Sequence, residues 1–199
     1  MFKGEAWEQE GREIRELVSR FERAIAEQAS AFFEEDDLER IIEHYQDHHR
    51  LDLALQAAEY ALELNPYNAL FYVRHADVLF EMRRFEEAWA STEQAAAFDP
   101  SEVEIYYLRA DLHVQKEEFR EALGCLEEAL MRADAEDHDQ ILVEMAEVYG
   151  DLADFDRMFD SLRQALEHNI HSEDALQKLA YCVDIAEKYE EGIALCQGL

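Results

Sequence analysis

Arg84-Phe85-Glu86-Glu87-Ala88 decides the fold once its echoes are found. Thirty-four residues on stands Glu118-Phe119-Arg120-Glu121-Ala122, and thirty-four before it Arg50-Leu51-Asp52-Leu53-Ala54. Ala61, Ala95 and Ala129 keep the same step, as do Asn65-Pro66 and Asp99-Pro100. A fourth unit follows a two-residue slip: Ala110 to Ala146, Phe119 to Phe155 and Ala129 to Ala165 are each 36 residues apart. The acidic stretch Ala133-Asp134-Ala135-Glu136-Asp137 absorbs the slip, which predicts a longer loop. A fifth unit resumes the 34-residue step, from Ala146 to Ala180 and Phe155 to Tyr189. Self-similarity at one fixed period is the signature of a repeat array.

Composition says what the units are made of. Only 6 Gly and 2 Pro punctuate 199 residues, too few for the many tight turns of a sandwich or barrel. Ala, Leu, Glu, Gln and Arg dominate, all strong helix formers. Apolar residues make up 49%, so the chain can build a core.

The charge excludes whole classes of partner. Forty-eight acids against 18 bases give a formal net charge of −30. Nucleic acid needs a basic footprint, and so does an anionic membrane surface. A basic partner fits, or none. High acidity with only four lysines among the 18 bases also fits a halophilic source, where net charge maintains solubility. No apolar run has the length of a membrane span. Met1-Phe2-Lys3-Gly4-Glu5 lacks the pattern of a signal peptide. Three cysteines without paired spacing (Cys125, Cys182, Cys196) point to a reducing, cytoplasmic setting.

A 34-residue period built of two helices resembles the tetratricopeptide repeat, in its bacterial multi-repeat form. Tyr72, Ala76, Leu79, Phe85, Ala88, Ala95 and Pro100 carry the likeness in one unit; Tyr106, Ala110, Phe119, Ala122 and Ala129 carry it in the next. Departures are His75 and Arg109 where Leu is usual, and His113 where Tyr is usual. The turn glycine is absent throughout, with His49, Arg83 and Glu117 in its place. The resemblance implies an all-α, right-handed superhelical solenoid of antiparallel helix pairs. Units are expected at about 35–68, 69–102, 103–136, 139–172 and 173–199, the last incomplete. Small residues such as Ala76 and Ala88 suit a close helix crossing. Residues 1–34 are expected to supply a capping helix, with Ile14, Leu17, Val18, Phe21 and Ile25 on one face and Phe32 and Phe33 extending it. Because Leu199 falls partway through a second helix, the chain looks like the N-terminal part of a longer array.

In that family the first helix of each unit lines a concave groove. The carried-over positions hold Glu43, Asp77, Asp111, Glu147 and Tyr181, and four residues earlier Glu39, Val73, Tyr107, Val143 and Gln177. The i, i+4 spacing puts each pair on one helix face. Family members that grip a C-terminal carboxylate use Lys and Asn there; acids replace them here, which argues against that clamp. The expected ligand is an Arg- or Lys-containing peptide or protein segment, held by carboxylates, by cation–π contacts with Tyr107 and Tyr181 and by apolar anchors such as Val73 and Tyr107.

Two readings compete with this soluble, cytoplasmic, non-catalytic scaffold. In one, the groove has no ligand and the array is a structural arm that self-associates through its uncapped C-terminal end. In the other, His44 and His48 bind a metal from one helix face; the HExxH pattern is absent, and a solvated helix end is the simpler account, so neither metal nor cofactor is expected. Cys182 and Cys196 read as core thiols, since nothing orients a nucleophile. No P-loop, GxGxxG or GxSxG motif occurs.

Overall fold

In the computed structural model, described over residues 2–27 and 31–198, the described residues form helices and connectors with no strand. Their contacts divide the chain into two compact units, 1–100 and 101–199.

The first unit holds α1 (Phe2–Glu27), α2 (Glu35–Asp47), α3 (Leu51–Leu64), α4 (Ala69–Glu81) and α5 (Phe85–Phe98). Each packs against the next in order, with α2–α3 and α4–α5 as pairs across short turns. Small residues make those pairs close. Ala54, Ala61, Ala76, Ala88 and Ala95 are all at 0% exposure, so no side chain separates the facing backbones. Phe71 and Leu79 fill the space beside them, each contributing about 1.5–3 kcal/mol by its burial.

The face of α1 behaves as its apolar spacing predicts: Leu17, Val18, Phe21 and Ala24 are buried. Phe21 meets Phe33 at 5.8 Å, Tyr60 at 5.6 Å and Tyr45 at 6.5 Å, an aromatic cluster over the α2–α3 pair. The expected continuation through Phe32 and Phe33 needs correction, because residues 31–34 are not helical. Leaving the helix separates the neighbours: Phe33 turns into the cluster at 4% exposure, while Phe32 stands out at 84%.

The second unit holds α6 (Glu104–Val114), α7 (Phe119–Arg132), α8 (His138–Asp151), α9 (Phe155–His168), α10 (Glu173–Ile185) and α11 (Tyr189–Gly198), again packed in sequence. Ala110, Ala122, Ala129, Ala146 and Ala165 form the crossing points of one core. Residues 133–137 form the connector where the slip falls; it is one residue longer than 169–172 and equal to 99–103, so the loop takes up only part of the slip. Between α10 and α11 the helices come close at Gly192: a Cβ there would meet Val183 Cγ2 at 2.7 Å, so a larger residue would force a shift. Leu199 lies outside the described residues.

Every turn within a pair uses one device. His49, Arg83, Glu117, Ala153 and Glu187 all adopt left-handed φ, from 53° to 58°. At each the chain folds back: the residue after the left-handed one donates to the carbonyl five positions earlier, as Arg84 N to Leu79 O at 2.9 Å and Asp154 N to Tyr149 O at 2.9 Å. This helix-ending geometry is usually glycine's. A Cβ there strains the backbone, so the five positions hold a recoverable stability. Ala153 and Glu117 are exposed. Ala153→Gly and Glu117→Gly are each expected to stabilise by about 0.5–1 kcal/mol, read as a higher urea midpoint at unchanged slope. Unchanged or lower midpoints would show that no strain is stored there.

Candidate functional site

The positions carried over from the repeat register fall differently in the two units. In the first, Glu39 Oε1 accepts from Arg74 Nε at 3.3 Å, and Asp77 Oδ2 accepts from Gln46 Nε2 at 2.8 Å. Gln46 reaches Glu81 as well, so one amide bridges two carboxylates from the neighbouring helix. Glu43 is exposed. Val73, expected as an apolar anchor, has 1% exposure and packs inward, so it offers a ligand no surface.

In the second unit the positions line a cleft. Asp111 on α6, Asp139, Glu144 and Glu147 from α8 and Asp174 on α10 border a cavity of about 480 Å³, with Gln140 and Ser172 on its rim. Val143 lies in its wall at 4% exposure, a buried backing with little contact surface. Tyr107 is half-buried nearby on α6; burial, then the charges of Glu144, Asp137, Asp139 and Glu104, push its phenol well above the usual range. Tyr181 stands 59% exposed further along α10.

Four charged residues at this cleft escape the sequence reading: Asp139, Glu144, Asp174 and Lys178. Glu144 sits between Asp111 and Glu147, largely desolvated. Burial first, then those two carboxylates, push its carboxyl from 4.5 up to about 7; a hydrogen bond with Gln140 and the charge of Lys178 pull the other way. Lys178 Nζ pairs with Glu147 Oε1 at 2.8 Å and with Asp174 one turn back on its own helix. Glu144 and Lys178 occupy one register, 34 residues apart. Opposite charges at equivalent positions on neighbouring first helices were the signal that could have found them. The cleft gathers five carboxylates, two of them paired with Lys178, and burial favours the proton on Glu144.

A second depression, of about 340 Å³, is apolar. Leu176, Val183, Tyr189, Ile193 and Cys196 line it between α10 and α11. Tyr189 and Ile193 are 51% and 59% exposed. Cys182 is buried as a core thiol, its Sγ 3.5 Å from Phe155 O. Cys196 departs from the core reading: it is exposed, in the wall of the apolar depression.

His44 and His48 stack with ring centroids 4.3 Å apart, and His48 Nδ1 lies 2.7 Å from the His44 carbonyl. That nitrogen is engaged with backbone. Among the described residues, no three His, Cys, Asp or Glu side chains converge as a metal set. No helix among them is long and apolar enough to cross a membrane.

A tetratricopeptide-repeat family model matches residues 103–135, which span α6 and α7. No protein of curated function matches the chain in sequence. Solved structures agree in fold. A thermophilic tetratricopeptide-repeat protein of Thermus thermophilus superposes with a TM-score of 0.71 at 18% identity, covering 83% of this chain and 88% of that one. MamA gives 0.64 at 14%, covering 83% and 92%. YrrB, a tetratricopeptide-repeat protein with an unusual peptide-binding site, gives 0.59 at 23%, covering 71% and 72%.

The raised Glu144 carboxyl makes stability depend on pH with a definite sign. Folded, the group keeps its proton up to about pH 7; unfolded, it releases it near 4.5. The stability it confers is therefore complete below 4.5 and lost as pH rises through about 7. Glu144→Gln is expected to be more stable than wild type by about 2 kcal/mol at pH 8 and to converge with it at pH 4.5. Urea titrations across pH check this; a pH-independent difference would mean that Glu144 is ordinary.

Proposed function

Because the chain carries a matched tetratricopeptide repeat and the solenoid fold of that family, we propose that it is a non-catalytic protein–protein interaction scaffold. It acts in the cytoplasm and takes a basic peptide segment in the acidic cleft of its second unit. The single observation that carries this reading is the convergence of Asp111, Asp139, Glu144, Glu147 and Asp174 on one cavity. Lys178 already neutralises part of that field through Glu147 and Asp174. An incoming arginine or lysine would compete with Lys178 for those oxygens and displace the proton of Glu144. Each exposed pair is worth only about 0–1 kcal/mol, so affinity has to come from several at once, with Tyr107 and Tyr181 as aromatic neighbours. Peptide binding by YrrB, a protein of like fold, is in keeping with such a role.

General acidity is the rival explanation, and equal charge changes at two places separate it. The paired variant Asp111→Lys/Glu147→Lys alters net charge as much as Glu86→Lys/Glu121→Lys, whose side chains are exposed outside the cleft. Titrated in low salt with a fluorescent peptide of alternating Arg and Ser, the cleft variant is expected to bind about tenfold more weakly than the control variant. Equal weakening would mean that overall charge alone attracts the peptide. Affinity is also expected to rise between pH 6 and 8 as Glu144 loses its proton; a flat profile would remove Glu144 from the site.

A second reading rests on the apolar depression between α10 and α11, where Tyr189 and Ile193 stand half-exposed. Such a face favours self-association. Light scattering is expected to show dimers that Ile193→Glu abolishes; a monomer at all concentrations would leave the array without this contact.

A further inference from the structure

Three aromatic rings meet at one edge of the first unit. Phe98, the last residue of α5, stacks on Tyr72 of α4 with centroids 5.4 Å apart and planes at 29°. Tyr67, in the connector before α4, meets Phe98 edge-on at 5.6 Å. Tyr72 Oη donates to Pro66 O at 3.2 Å, which fixes the inner ring against the connector. The outer rings are open: Tyr67 is 78% exposed and Phe98 39%. Exposed aromatics held in a fixed cluster are costly in water and unusual in a surface this charged.

The chain itself shows what this kind of ring accepts. Thirty-four residues on, Tyr106 replaces Tyr72 and Arg132 replaces Phe98. There the Arg132 guanidinium lies 4.4 Å from the Tyr106 ring centroid. Its Nη1 also donates to Glu128 O at 2.9 Å and pairs with the Glu128 carboxylate. One slot of the repeat thus takes a phenyl ring in one unit and a guanidinium in the other. In the first unit, no cation lies over Tyr67, Tyr72 or Phe98 among the described residues, so the stack ends on bare aromatic faces. Acids surround it. Asn68, beside Tyr67, donates to Glu35 at 3.1 Å, and Glu63 and Asp99 flank Leu64 and Phe98 in sequence.

We propose that the Tyr67–Phe98 rings form a docking platform for an arginine side chain of a partner segment, its guanidinium stacked on the open faces as Arg132 stacks on Tyr106. Arginine fits better than lysine, since its planar, weakly hydrated head stacks on a ring while an ammonium gains only charge. A net charge of −30 draws cations and disfavours a second copy of the chain at this edge. The platform uses no residue of the acidic cleft and stands or falls separately from it.

The test uses the full chain with ring-labelled Tyr and Phe, observed by NMR. Probes are the pentapeptide acetyl-Gly-Ser-Arg-Ser-Gly-amide and its lysine and citrulline analogues. Expected is a shift of the Tyr67 and Phe98 ring signals with the arginine peptide, at an affinity about threefold above that of either analogue. Phe98→Arg, which copies the Tyr106–Arg132 arrangement, should abolish the Tyr67 response while the circular dichroism stays unchanged. Tyr67→Ala should abolish the Phe98 response in the same way. Asp111→Lys/Glu147→Lys should keep both. The proposal is overturned if the lysine peptide binds as tightly as the arginine peptide, if the responses survive Phe98→Arg and Tyr67→Ala, or if the rings respond to protein concentration alone, as a second copy would cause.

Discussion

Close approach between the two helices of each pair is the constraint on which the rest depends. Helix axes near enough to exclude water require a contact residue without bulk. Ala54, Ala88 and Ala122 meet that need with no exposed surface, and Gly192 meets it where even a Cβ would collide with Val183. Once the crossing is fixed, the larger side chains on either side have only one place to go. The turn is then equally fixed, because a short link between close antiparallel helices must pass through left-handed backbone. That the chain places His49, Arg83, Glu117, Ala153 and Glu187 there, and never glycine, shows packing overriding local preference.

The same constraint explains how much of the fold was legible. A crossing recurs with the repeat, so its alanines recur with the repeat, and the spacing located the helix pairs and the connector at 133–137. What a period cannot encode is where each repeat departs from its neighbours. Residues 31–34 leave the helical pattern, and there Phe33 is core while Phe32 is not. Cys182 and Cys196 look alike in sequence, yet one faces a packed neighbour and the other an apolar depression.

The candidate site was legible only in part, for a related reason. The register located Asp111 and Glu147, because family positions recur at the same step. It said nothing about depth. Val73 and Tyr107 share a register, but Val73 is short enough to disappear into the core while the phenol of Tyr107 keeps its edge near the carboxylates. Glu144 and Lys178 lie one residue off the file. On a helix that is a rotation of about 100°, enough to move a side chain from the open face toward the neighbouring helix. A carboxylate turned that way loses water, and it is the lost water, more than its acidic neighbours, that raises its affinity for a proton.

Charge then acts on two scales that should be kept apart. The net charge of −30 is long-range and screened: at physiological salt it fades within about 8 Å and governs encounter more than affinity. The cleft acts at contact distance, where Glu144 is desolvated and screening is weak. The first-unit positions differ on this second scale. Glu39 is paired to Arg74 and Asp77 is held by Gln46, so a ligand there would have to break bonds that the fold has already made. In the cleft, Lys178 already occupies oxygens of Glu147 and Asp174, two of the five carboxylates gathered there. Exchanging one cation for another costs little desolvation of the carboxylates, because they stay paired throughout.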